Sequence, residues 1–143
     1  MDFQLDRVQV WSCEIPDQPG GAAGILEPLA HAGSHLEFIM SRRLTNKIGK
    51  GELFVAPITG PAQTKAAQAV QLHKANDMVL LKIYGSDKPG LAHLLASCLS
   101  SAGINLRSLT MTAISGKFVA YVACDSPDDT AKAVQALASL KLD

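Results

Sequence analysis

The stretches "PDQPG" at residues 16–20 and "SDKPG" at residues 86–90 share the quartet Asp-x-Pro-Gly, at an offset of 70 positions. Each copy follows an apolar, β-rich run and precedes a run with helical spacing. A proline followed by glycine at such a joint is typical of a chain that leaves a strand and enters a helix. The repetition indicates that one structural unit occurs twice in this chain.

The repetition extends well beyond the quartet. At the same offset, identical residues recur in pairs: Asp17 and Asp87, Pro19 and Pro89, Gly20 and Gly90, Ala22 and Ala92, Leu29 and Leu99, Ala32 and Ala102, Gly33 and Gly103, Leu36 and Leu106. The segment "FVA" then recurs at 54–56 and 118–120, an offset of 64. Repeat 1 therefore carries about six extra residues, which we assign to the loop "LTNKIGKGE" at 44–52.

Each repeat predicts the order strand, helix, strand, strand, helix. The first strands are expected at 7–15 and 77–85, with Pro19 and Pro89 at the first helical positions. Gly33 and Gly103 are expected to end these helices in a left-handed conformation. Pro28 falls inside the first helix, and we expect Gly24 to leave room for its ring.

The later elements follow the same reasoning. Strand pairs are expected at 35–44 with 52–58 and at 104–114 with 117–124, the second pair joined by a turn at Ser115-Gly116. Ser126 and Pro127 predict the start of the last helix. A fourth strand completes a βαββαβ unit: "QLHKA" at 71–75 for repeat 1, and either "SLKLD" at the chain's end or "DFQLD" at 2–6 for repeat 2. The predicted fold is α+β, two ferredoxin-like lobes in tandem (1–72 and 73–143) with antiparallel sheets and helices on one face.

Composition excludes several functions. The 143 residues carry a formal net charge of zero and only 5% aromatic residues, which argues against nucleic-acid binding and against a polybasic membrane surface. The apolar runs are too short to span a membrane, and the N-terminus lacks a signal-peptide pattern. Three cysteines without a C-x-x-C spacing favour a reducing compartment, so we expect a cytoplasmic protein. No metal, cofactor or catalytic pattern is recognisable, and we expect no enzymatic activity.

The marks "DQPGG…AGSHLEF" and "DKPGL…AGINLRS" resemble those of the ACT domain family, in two tandem copies over essentially the whole chain. The resemblance implies a regulatory module that binds an amino acid or a similar small carboxylate between lobes and pairs with another copy. The resemblance also implies the partners of such a module: a second copy of the chain in a homodimer, and a regulated enzyme or transcription factor to which the signal passes. The alternative is a structural or protein-interaction module without ligand binding.

The candidate ligand-binding residues lie at the two joints. Backbone N–H groups at Gly20-Gly21 and Gly90-Leu91 are expected to face a ligand carboxylate, because a helix N-terminus favours anions. Asp17 and Asp87 are expected to meet an ammonium group, with Gln18 and Lys88 in the same turns. In the family a polar residue after the helix contacts the amino acid, which points to Asn105 and, in repeat 1, to His35. Repeat 2 matches the family marks better and is the expected site, whereas "SRR" at 41–43 is interpreted as a solvated strand end.

Overall fold

The computed structural model describes residues 2–142, and the side chains of residues 2–140. The described residues form six strands and four helices. Their order is strand, helix, strand, strand, helix in each repeat, as predicted. The elements are β1 (Phe3–Pro16), α1 (Gly21–His31), β2 (Phe38–Arg43), β3 (Lys50–Ala56), α2 (Gly60–Ala69), β4 (His73–Ser86), α3 (Leu91–Ser101), β5 (Leu106–Ile114), β6 (Lys117–Cys124) and α4 (Pro127–Leu142). The fold is α+β with two βαββαβ lobes in tandem, as predicted.

The chain divides into two compact units. Lobe 1 is Gln9–Ala75, and lobe 2 is the described part of Met1–Val8 together with that of Asn76–Asp143. The long strand β1 therefore contributes its first residues to lobe 2 and the remainder to lobe 1. The sequence predicts domains at 1–72 and 73–143, and this division marks the boundary between the two repeats. It stays a proposal.

Lobe 1 has the strand order β2-β3-β1-β4, with antiparallel pairing of β2 with β3 and of β3 with β1. Alternate residues of β1 face the helices, as a half-covered strand requires. The buried core residues of this lobe are Trp11, Cys13, Ile15, Leu29, Leu53, Val55, Ala67 and Leu72. The predicted fourth strand at 71–75 is present from His73, where β4 begins.

Lobe 2 has the strand order β1-β4-β6-β5, and β6 pairs antiparallel with both β4 and β5. Leu91, Leu95 and Leu99 lie on one face of α3 at helical spacing and are buried against the sheet. Helix α4 adds Ala133 and Leu137 to the same core. None of the described helices is both long and apolar enough to cross a membrane.

The fourth strand of lobe 2 comes from the start of the chain. Phe3 is fully buried in the lobe 2 core, and a Cβ added at Gly85 would lie 2.4 Å from the carbonyl oxygen of Asp2. Of the two alternatives, "DFQLD" at 2–6 is therefore the strand. The other is wrong, because residues 139–142 continue helix α4, whose apolar residues recur at helical spacing.

Several predicted ends of elements are confirmed. Gly33 and Gly103 have φ of 83° and 76° and end their helices, and Ser115-Gly116 forms the β5–β6 turn with positive φ at both residues. The Ser126 hydroxyl accepts a hydrogen bond from the Asp129 N–H at 3.1 Å, so Ser126 caps α4.

Two local predictions are wrong. Pro19 and Pro89 do not begin the helices, which start two residues later at Gly21 and Leu91. Gly24 does not make room for the ring of Pro28, since a Cβ added at Gly24 would meet nothing within 4 Å. The ring is accommodated inside α1 without help from the missing side chain.

Candidate functional site

Both copies of the joint contain the same tight turn. The N–H of Gly21 donates to the carbonyl of Gln18 at 3.1 Å, and the N–H of Leu91 donates to that of Lys88 at 3.3 Å. Gly20 has φ 85° and ψ −5°, and Gly90 has φ 80° and ψ 6°. Proline followed by glycine in this left-handed conformation is a type II turn. This turn explains why each proline precedes its helix.

A backbone hydrogen bond also joins each quartet to the hairpin that follows it in the same lobe. The N–H of Asp17 donates to the carbonyl of Gly49 at 2.9 Å, and that of Asp87 donates to the carbonyl of Gly116 at 2.9 Å. The β2–β3 loop therefore keeps the same attachment as the much shorter β5–β6 turn. The extra residues of repeat 1 lie next to the joint, and among them Ile48 is fully exposed.

The turn changes which backbone groups can reach a ligand. The N–H groups of Gly21 and Leu91 were expected to bind a carboxylate, but both are engaged by the turn. In α1 the first intrahelical bond runs from the Gly24 N–H to the Gly20 carbonyl at 3.0 Å. The N–H groups of Ala22 and Ala23 precede that bond and have no acceptor within the helix. They are the donors that this helix start offers.

The two joints differ at the first helical residue. A Cβ added at Gly21 would lie 2.3 Å from the carbonyl oxygen of Pro16, so only glycine fits there. The corresponding Leu91 is 1% exposed and packs into the lobe 2 core. The start of α1 therefore carries no side chain that fills the space beside the joint.

A cavity of about 340 Å³ lies at the repeat 1 joint. The end of β1, the turn and the start of α1 form one side of it, and the end of β2 with the start of β3 forms the other. Its lining includes four of the predicted ligand-binding residues, namely Asp17, Gln18, Gly20 and Gly21, together with Ala22, Ala23, Ser41, Arg42, Arg43 and Gly51.

The strand register explains why Arg43 reaches this cavity. Gly51 on β3 is paired with Ile15 on one side and with Arg43 on the other. Since cross-strand partners share a face and Ile15 belongs to the lobe 1 core, the Arg43 side chain lies on the helix-bearing face. Its Nε donates to Oδ2 of Asp17 at 2.6 Å, which forms an ion pair at the cavity.

Arg42 is turned the other way. Consecutive residues of a strand point to opposite faces, and Arg42 bonds Oε1 of Glu52 at 2.9 Å while its guanidinium lies 5.5 Å from the ring centre of Phe54. On that face Lys47 bonds Glu14. The Lys47 hydrogen bond lowers the pKa of Glu14 and raises the pKa of Lys47. The charged side chains of this face are thus paired with one another, although Arg42 is also among the residues that line the cavity.

The remaining predicted residues do not join this cavity. Asp87, Lys88, Gly90 and Leu91 lie together at the second joint. His35 and Asn105 follow the C-terminal ends of α1 and α3, and each of these helices has 11 residues. At 1.5 Å per residue such a helix is about 16 Å long, so within one lobe the quartet and the later polar residue are at opposite ends.

Arg43 and Ser41 were missed as site residues by the sequence interpretation. The available signal was the pair of arginines at the end of a strand that precedes the inserted loop. At the offset of 70, the residues in repeat 2 are Thr112 and Ala113, so the basic pair is specific to repeat 1. Only the register across β3 reveals which of the two arginines faces the joint.

The described chain offers little for other chemistry. No group of three or more His, Cys, Asp or Glu side chains that could hold a metal ion occurs within residues 2–140. Burial raises the pKa of the Cys13, Cys98 and Cys124 thiols, so these groups are held in the protonated form at neutral pH. A thiol of raised pKa is a poor nucleophile.

Residues 77–141 match the model of the ACT domain family. No curated protein sequence matches the chain significantly. Among solved structures, the regulatory subunit of aspartate kinase from Thermus thermophilus in its ligand-free form is 20% identical and superposes with a TM-score of 0.67, covering 97% of each chain.

Two further structures are similar over nearly the whole chain. A protein from Bacteroides thetaiotaomicron has 17% identity and a TM-score of 0.75, covering 96% of this chain and 90% of its own. The regulatory subunit of aspartate kinase from Thermus flavus has 20% identity and a TM-score of 0.61, covering 96% and 94%. At these identities the similarity shows a common fold alone. Both repeats of this chain have that fold.

Proposed function

Because this chain is a small protein with an ACT domain at residues 77–141, in a fold shared with regulatory subunits, we propose that it is a non-enzymatic regulatory protein that binds an amino acid. The ligand occupies the cavity at the repeat 1 joint, and binding is passed to a protein partner, an enzyme or a transcription factor. The proposal places the protein in the cytoplasm, where free amino acids are available as signals.

The Asp17–Arg43 ion pair at the cavity is the observation that carries this proposal. An amino acid has one carboxylate and one ammonium group, and the cavity offers one partner for each. Arg43 has five N–H donors, and one of them is engaged by Asp17. Its remaining donors and the N–H groups of Ala22 and Ala23 suit a carboxylate, while the Asp17 carboxylate suits an ammonium group.

The second joint remains a proposed secondary site. Asp87, Lys88, Gly90 and Leu91 repeat the turn of the first joint, and Asn105 keeps the residue type expected from the family. Leu91 fills its space with a core side chain, and repeat 2 has no counterpart of Arg43. We therefore rank the repeat 1 joint first and keep His35 and Asn105 as contacts to be tested.

A thermal-shift screen of the full-length protein against the twenty amino acids tests this function. A ligand that binds only the native state at a hundredfold excess over Kd stabilises it by about 2.7 kcal/mol. Titration calorimetry then compares Arg43→Gln with Asn105→Ala for whichever amino acid raises Tm. We expect Arg43→Gln to weaken binding by roughly ten- to 150-fold, the usual effect of losing a hydrogen bond to a charged group.

The outcomes separate the alternatives. If only Asn105→Ala weakens binding, the ligand occupies the second joint and not the cavity. If no amino acid raises Tm, the protein is a structural or protein-interaction module without ligand binding, which is the second candidate function. We would then expect the edge strands β2 and β5 to form the surface that contacts a protein partner.

A further inference from the structure

Strand β5 forms an edge of lobe 2 that lacks the usual protection against pairing with another chain. Among the described residues it pairs with β6 alone. Residues 108–116, "SLTMTAISG", contain neither a charged residue nor a proline. Natural edge strands are commonly protected by charged residues, prolines or bulges. The irregularity in the β5–β6 register lies between Leu106 and Ser108, so it precedes the uncharged run.

The side chains of this run alternate between two chemical classes. On the helix-bearing face they are apolar, since each pairs with a lobe 2 core residue of β6: Leu109, Met111 and Ala113. On the opposite face they are hydroxyl-bearing: Ser108, Thr110 and Thr112. Leu109 is 42% exposed, and Thr110 and Thr112 are exposed as well, so both faces of the edge are accessible.

The edge strand of lobe 1 is different. Strand β2 has six residues, and the last two are Arg42 and Arg43. Both arginine side chains form ion pairs within lobe 1. Charged side chains on an edge strand discourage pairing with another chain. Of the two edges, β5 is therefore the one whose sequence permits pairing.

The alternating pattern makes β5 complementary to itself. Two copies related by a two-fold axis perpendicular to the sheet pair antiparallel and keep their helix-bearing faces on the same side. Residues that lie directly opposite one another then share a face, so apolar residues meet apolar residues and hydroxyls meet hydroxyls. Cross-strand threonine pairs are favourable, and opposed apolar side chains bury area that water otherwise covers.

We propose that the open edge of β5 binds β5 of a second copy of this chain, so that the lobe 2 sheets of two copies join into one antiparallel sheet. The occupant is a second copy because the run matches its own pattern on both faces. Neither joint takes part in this contact, so the proposal is independent of ligand binding and of the proposed function.

Sedimentation velocity of the full-length protein without ligand, over a micromolar concentration series, measures the dimer Kd. Leu109→Lys and Ile39→Lys are a matched pair, because each places a charge on the helix-bearing face of an edge strand, opposite a core valine. We expect Leu109→Lys to raise Kd at least about tenfold, since the change occurs twice in the dimer. Ile39→Lys should leave Kd unchanged.

A second variant keeps the test valid if Leu109→Lys fails to fold. Thr110 is exposed on the other face of β5, so Thr110→Lys leaves the lobe 2 core intact. We expect it to raise Kd in the same way, with a circular dichroism spectrum like that of the wild type.

Hydrogen exchange locates the contact directly. In the dimer, the β5 amides that point away from β6 should exchange more slowly than in the Thr110→Lys monomer, whereas the outer amides of β2 should not change. A wild-type protein that stays monomeric at high micromolar concentration would overturn the proposal. Equal weakening by Ile39→Lys, or a dimer in which the outer β5 amides stay unprotected, would overturn it as well.

Discussion

The two copies of the joint differ in the side chain at the first helical residue. Leu91 begins α3 and is buried, whereas Gly21 begins α1 against the carbonyl of Pro16. The sequence showed that these residues differ but not what the difference does. From the family resemblance, the sequence predicts the better site at the joint with Leu91. Leu91 is a core residue, and the cavity of about 340 Å³ lies at the joint that begins with Gly21; which joint binds a ligand stays a prediction.

Two glycines of α1 provide a matched test of this reading. Gly21→Ala should destabilise the protein by about 1–3 kcal/mol, because its Cβ would lie 2.3 Å from a backbone oxygen. Gly24→Ala should stabilise it by up to about 1 kcal/mol, because alanine is the better helix former and a Cβ there meets nothing within 4 Å. Urea unfolding measures both values, and the same sign for the two variants would contradict the geometry.

Helices, turns and strand pairs were largely predictable because each leaves a local pattern. The Ser126 cap, the glycines that end α1 and α3, and the turn at Ser115-Gly116 are examples. The starts of α1 and α3 were misplaced, because Pro-Gly fits both a first helical turn and a type II turn. The position of Arg43 could not be predicted, since it depends on pairing through a third strand.

The strands at the two sheet edges lead us to expect a homodimer. Among the described residues, the last strand of lobe 1 is β2, which pairs with β3 alone, and the last strand of lobe 2 is β5, which pairs with β6 alone. Unpaired backbone groups along such edges favour pairing with another chain. We expect a homodimer in sedimentation velocity at micromolar concentrations. A monomer at high micromolar concentration would refute it.

At the scale of the whole molecule, the repeat in the sequence and the compact units of the structure do not have the same ends. The repeat begins anew near residue 77, and the family match covers residues 77–141. Lobe 2 also needs the first residues of the chain, among which Phe3 is fully buried. The spare segment at 2–6 was visible in the sequence, but its pairing with β4 is a long-range contact that no local pattern encodes.

Phe3→Ala tests this dependence. Truncating a buried phenylalanine typically costs about 3–5 kcal/mol. We expect that loss in urea unfolding followed by circular dichroism. Ile48→Ala is the control, since Ile48 is fully exposed and such changes usually stay within about 0.5 kcal/mol. A Phe3→Ala variant as stable as the control would show that lobe 2 does not need this strand.

The divided strand β1 also determines when each part of the chain can fold during synthesis. The ribosome adds about 5–20 residues per second, and segments tend to fold as soon as their partners have emerged. Residues 9–75 form one compact unit from a continuous stretch of chain. Residues 3–8 are synthesised before lobe 1, but their partners in β4, α3, β5, β6 and α4 follow only after lobe 1 is complete. This segment is therefore made before the elements that bury it, and until those elements emerge Phe3 is available to chaperones.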